Sequence, residues 1–115
     1  MSNTKLLADG NQMTVDENAS ELAQLDLSAY RTIRLSVGNW ANSPAPVVIS
    51  VSHVDEPGTI NANFITELDS FTVPPGGWVS RAYEVPGEVV AFLARPEHPP
   101  VAGIEIDFTV YGRAG

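Results

Sequence analysis

In Ile104-Glu105-Ile106-Asp107-Phe108-Thr109-Val110-Tyr111, apolar and polar side chains alternate without a break. Side chains two apart share a face of a strand, so Ile104, Ile106, Phe108 and Val110 point one way. Glu105, Asp107, Thr109 and Tyr111 point the other. One face is therefore buried and one wet. Thr32-Ile33-Arg34-Leu35-Ser36-Val37 repeats the pattern, and in residues 47–54 Val47, Ile49 and Val51 lie opposite Val48, Ser50 and Ser52. Residues 88–94 carry apolar side chains on both faces, which predicts a central strand.

Punctuation separates these runs. Pro57-Gly58 has the form of a type II turn, Pro74-Pro75-Gly76-Gly77 is a stop, and Pro86-Gly87 closes the strand predicted over 78–85. Residues 60–68 and 71–73 read as strands around a polar Glu67-Asp69-Ser70 break. Asp9-Gly10-Asn11 reads as a tight turn between two short strands. Asn18 and Glu21 have capping-box spacing, but 22–27 fits a strand or irregular entry better than a helical turn. Residues 38–46 form a loop centred on Trp40, and 95–100 a proline-bound one.

Val, Ile, Thr, Phe, Tyr and Trp make up 35 of 115 residues, 13 of them Val. These side chains favour a pleated surface. About eight short strands with regular turn signals predict an all-β fold: an antiparallel two-sheet β-sandwich, jelly-roll-like, with residues 1–115 as a single domain.

Composition excludes several functions. There is no cysteine, so disulfide scaffolds, thiolate metal sites and thiol catalysis fall away. Six basic against 14 acidic residues leave a net charge of −8, which argues against nucleic acid and anionic membrane as partners. No apolar run approaches the roughly 18 residues of a membrane-spanning helix. Before Asp9-Gly10 the start of the chain is too short in apolar residues for a secretion signal. An extracellular, cell-surface or virion location is favoured, and 17% charged residues with a single lysine, Lys5, point to a partner.

Leu25-Asp26-Leu27-Ser28-Ala29-Tyr30-Arg31-Thr32-Ile33-Arg34-Leu35 resembles the early-strand stretch of galactose-binding-like, discoidin-like jelly rolls. The long alternating strand at the end of the chain resembles theirs also. The resemblance implies a non-catalytic binding module with its ligand in loops at one end of the sandwich. In such jelly rolls a structural calcium often joins the early loop to an acidic residue of the last strand, here Asp107 or Glu105, with Asp9, Asn11, Asp16 and Glu17 at the early end; the competing reading is no cofactor, these residues being a turn plus a helix-cap cluster. Oxygen ligands of this kind suit calcium over a transition metal.

No catalytic constellation is legible. His53 and His98 lack a second histidine nearby, there is no Gly-x-Ser-x-Gly elbow, and Asp16-Glu17 and Asp55-Glu56 are neighbours that diverge on a strand. The aromatics are the candidates for binding. Trp40 between Asn39 and Asn42 offers an indole face for a sugar ring and amides for its hydroxyls, with Tyr30 and Trp78 as further contacts; the competing role for Trp40 is a lid on the sandwich end. The expectation is a non-enzymatic module for a carbohydrate or protein ligand. The alternative is a self-associating subunit of a virion, filament or surface assembly, a homo-oligomer.

Overall fold

A computed structural model describes residues 4–54, 65–85 and 89–114. These form β1 (Thr4–Thr14), β2 (Ser20–Asp26), β3 (Thr32–Asn39), β4 (Val47–Val54), β5 (Ile65–Val73), β6 (Trp78–Glu84), β7 (Val89–Pro96) and β8 (Glu105–Arg113). Two antiparallel sheets of four, ordered β1-β8-β3-β6 and β2-β7-β4-β5, face one another. This strand order is that of a jelly roll.

Alternation positions the core. Ile33, Leu35 and Val37 of β3 meet Ile106, Phe108 and Val110 of β8 on the inner face of one sheet. Val47, Ile49 and Val51 of β4, with Val90, Phe92 and Ala94 of β7, line the other. Full burial of each Val, Leu, Ile or Phe side chain among them contributes about 1.5–3 kcal/mol before chain entropy is set against it. β7 is a central strand, as the apolar side chains on both its faces predict, and β8 is central in the other sheet.

Two local expectations are corrected. Asp9-Gly10-Asn11 is not a turn: β1 runs through it along β8, with a register shift between Gly10 and Met13 where Gln12 takes a φ of 51°. A bulge absorbs the extra residue, and Gly10 is required because Phe108 fills the space a Cβ would occupy. The break expected at Glu67-Asp69-Ser70 is instead continuous strand, with a register shift near Leu68. Asp69 faces inward there, to partners on β6. The strand favoured over a helical turn after Asn18 is β2: the Asp16 carboxylate accepts the Asn18 amide, and Ser20 Oγ accepts the Asp16 amide, turning the chain into it. Pro57-Gly58, Pro86-Gly87 and most of the strand expected at 60–68 lie outside the described residues.

One end of the sandwich is a hydrogen-bonded cluster of loops. The amide of Trp40 donates to the Glu105 carbonyl, that of Asn39 to Gly77, that of Gly76 to Asn39, and that of Val15 to Ile104. Ser43 Oγ both donates to the Glu105 carbonyl and accepts its amide. At the opposite end Arg31 donates to the Arg113 carbonyl and Val85 to that of Arg31.

Candidate ligand-binding site

The outer face of the β1-β8-β3-β6 sheet follows from parity. Where Ile33, Leu35 and Val37 point in, Thr32, Arg34, Ser36 and Gly38 face out. Register sets their neighbours: Gly38 lies between Asp107 of β8 and Trp78 of β6, Ser36 between Thr109 and Ser80, Arg34 between Tyr111 and Ala82.

At the loop end of this face the two tryptophans come together. Trp78 lies over Gly38, where a Cβ would overlap ring atom Cε3, so glycine makes its seat. Trp40 is held from the other side, its indole N–H donating to Asp107 Oδ1 at 2.9 Å. The backbone amide of Gln12 donates to the same oxygen at 2.6 Å, so the β1 bulge and the 40–46 loop are both tied to one carboxylate. Trp40, Trp78, Gly38, Gly76, Gly77 and Asp107 line an open pocket of about 280 Å³. Trp78 is 59% exposed, the most exposed large apolar side chain among the described residues. Trp40 is half-buried, anchored in place beside it. The site thus presents one fixed and one open indole beside a carboxylate.

The other candidates divide. Asn39 is among the residues lining the pocket yet only 3% exposed, its side chain facing inward with Nδ2 donating to the carbonyls of Ala45 and Val73. It braces the loop that carries Trp40. Asn42 is exposed in that loop but does not line the pocket. Tyr30 precedes the far end of β3, an eight-residue strand, on the order of 25 Å from Trp40 along the strand axis. Its ring packs beside Gly112, against the core. Asp107, named from the sequence only as a calcium ligand, anchors Trp40, and Gly38, the seat of Trp78, is a site position that motif reading missed. The signal for Gly38 was present: a glycine at an outward position of an otherwise perfect alternation.

Asp9, Asp16, Glu17 and Asp107 do not form one acidic group. Among the described residues, no three or more His, Asp or Glu side chains form a group able to hold a metal ion. Asp9 sits on β1 opposite Thr109, Asn11 in the bulge, and Asp16 and Glu17 in the turn before β2, where the Glu17 carbonyl accepts the Val101 amide. Among the histidines, His53 is half-buried on β4, and His98 is exposed beside Glu97 at 3.3 Å.

No protein-family model matches the chain, and no curated protein sequence is significantly similar to it. Solved structures share its architecture. A chain from "Bacillus endospore appendages form a novel family of disulfide-linked pili" superposes with a TM-score of 0.61 at 13% identity, over 100% of this chain and 88% of that one. PirA matches with a TM-score of 0.55 at 10% identity, over 98% and 94%. A structure described under "CBM4 structure and function" matches with a TM-score of 0.52 at 14% identity, over 97% and 79%. At these identities the likeness is one of fold.

Proposed function

We propose that this chain is a non-catalytic binding module that takes a carbohydrate at the Trp40–Trp78 end of the β1-β8-β3-β6 sheet, acting at a cell surface or outside the cell. The observation that carries the reading is Trp78, more than half exposed yet seated on a glycine beside an anchored second indole. A solvent-facing indole has apolar area left to bury. The C–H face of a sugar ring supplies an apolar surface of matching shape, and polar groups beside it fix orientation. Asp107, and the Ser36, Ser80 and Thr109 hydroxyls one register further along, provide acceptors and donors for sugar hydroxyls. The expected site lies on the sheet face next to the loops, not in the loop tips where Asn42 stands.

A glycan array followed by calorimetric titration tests this. Saccharide binding that weakens at least tenfold in Trp78→Ala, with the fold intact by circular dichroism, supports it. No saccharide ligand, or affinity indifferent to the substitution, overturns it.

One observation favours a second reading, a self-associating structural subunit. Leu6 and Tyr111 are directly opposite in register on the same face and are 44% and 39% exposed. Light scattering at micromolar concentration discriminates: a defined oligomer or polymer, disrupted by Leu6→Asp, supports assembly, and a clean monomer removes it.

A further inference from the structure

The six cationic side chains are not spread evenly. Arg81 is bound to Asp69, and Arg95 donates to the carbonyls of Pro96 and Glu97. The remaining four, Lys5, Arg31, Arg34 and Arg113, all fall at the end of the β1-β8-β3-β6 sheet away from the tryptophans, where β1 and β3 begin and β8 ends. Among the described residues none of these four forms an ion pair. Arg34 and Arg113 are exposed on adjacent strands and outward in parity: Arg34 stands opposite Tyr111, and Arg113 opposite Thr32. With Thr4, Thr32 and Tyr111 they line a pocket of about 400 Å³. Glu84, opposite Thr32 on β6, is the acidic residue nearest in register, and it bonds to neither arginine.

In a chain with 14 carboxylates, two neighbouring guanidiniums without one are an arrangement that an anion would stabilise. Guanidinium forks match a carboxylate bidentately, and the Thr and Tyr hydroxyls beside them suit a hydroxylated ring. We propose that the Arg34–Arg113 pocket is an anion subsite for the carboxylate of a uronic acid, within a saccharide whose neutral rings run along the sheet face to Trp78. This rests on the carbohydrate reading of the Trp40–Trp78 end. From Arg34 to Gly38 is four residues of β3, roughly 13 Å, with the Ser36–Ser80–Thr109 hydroxyls between. The ligand carries its acid sparsely: a second carboxylate at the tryptophan end would meet Asp107, and a densely charged polymer would meet the field of a protein of net charge −8.

The test is an amide NMR titration at low ionic strength with sodium glucuronate, glucose and sodium acetate, followed by aldotetrauronic acid, which carries one uronic acid on three neutral sugars. Glucuronate should shift the amides of Thr32, Tyr111, Gly112 and Arg113 saturably, with glucose inert and acetate far weaker. The double variant Arg34→Gln/Arg113→Gln should weaken this at least tenfold while the remaining spectrum stays native. Added salt should weaken it as well. Aldotetrauronic acid should bind more tightly than glucuronate, and Trp78→Ala should remove only that gain. No saturable shift with glucuronate, equal shifts with glucose or acetate, or full retention in the double variant overturns the subsite. If glucuronate binds and Trp78→Ala changes nothing, the arginine subsite stands and the tryptophan reading falls. If a neutral saccharide binds at Trp78 while glucuronate leaves the arginine end untouched, the opposite holds.

Discussion

Gly38 has no room for a side chain, because the Trp78 ring occupies the position a Cβ would take. Gly38→Ala must therefore displace the indole while leaving the inward packing of Val37 unchanged. The expected outcome is a loss of saccharide affinity as large as in Trp78→Ala, with a urea unfolding midpoint close to wild type. Asn39, its neighbour, behaves oppositely. Removing its amide in Asn39→Ala leaves two carbonyls at the loop end without their donor, a cost of about 1–3 kcal/mol. Equilibrium unfolding in urea checks this. The two residues also show what a chain of letters reveals. Asn39 continues the parity of Ile33, Leu35 and Val37, so its inward aim was readable from the alternation. The chemistry of an amide beside a tryptophan suggested a ligand contact and drew attention away from it. That Trp78 folds over Gly38, by contrast, depends on β6 pairing with β3 across 40 residues of sequence, which no local pattern encodes.

At the level of strands, the edge formed by β5 and β6 is closed by polar side chains that point inward. Tyr83 donates its hydroxyl to Asp69 Oδ2 at 2.6 Å, Arg81 pairs with the same carboxylate at 3.0 Å, and its guanidinium lies 4.8 Å from the centre of the Phe71 ring. Inward charge on edge strands blunts their tendency to pair with other chains. The Tyr83 hydroxyl holds the Asp69 carboxyl below its ordinary range; partial burial opposes this, and Arg81 adds to it. Burial foremost, then Asp69, pushes the Tyr83 phenol well above its usual value. A carboxyl whose folded pKa is depressed contributes stability above its unfolded value, about 4, and loses it as pH falls through the folded value. A phenol whose folded pKa is raised contributes below about pH 10 and loses its share as pH climbs through the raised value. Asp69→Asn should thus lower stability near neutral pH by about 1 kcal/mol and flatten the decline on acidification. Urea midpoints from pH 3 to 7 measure both. The polar run around Asp69 looked like a break because isolated charges in a strand usually face water. Its inward partners lie on another strand and were invisible in the local pattern. β1 misled in a similar way: Asp-Gly favours a tight turn, but the length of β8 available for pairing carries the chain straight through with a bulge.

For the molecule as a whole, the alternating strands made the layered architecture legible, since each must bury one face and eight such strands close most simply as two sheets. The site was legible only in part. Trp40 stood out at the centre of a loop and Trp78 at the start of a strand, and the structure brings them together. The acidic residues near the start of the chain looked like a cluster because they are close in sequence, yet a strand carries them apart at about 3.4 Å per residue. Charge distribution was the least legible property. Lys5, Arg31, Arg34 and Arg113 span almost the whole chain and converge because the last strand pairs with both β1 and β3.

That adjacency reaches further. Thr4 faces Arg113 across the β1–β8 ladder, so the head and tail of the described backbone stand side by side, far from the indoles. A short flexible linker joining them, with a new opening cut into the exposed stretch between β7 and β8, would yield a circularly permuted polypeptide in which β8 leads. Such a rearranged chain is expected to fold with a native amide spectrum and keep whatever affinity the Trp40–Trp78 face possesses.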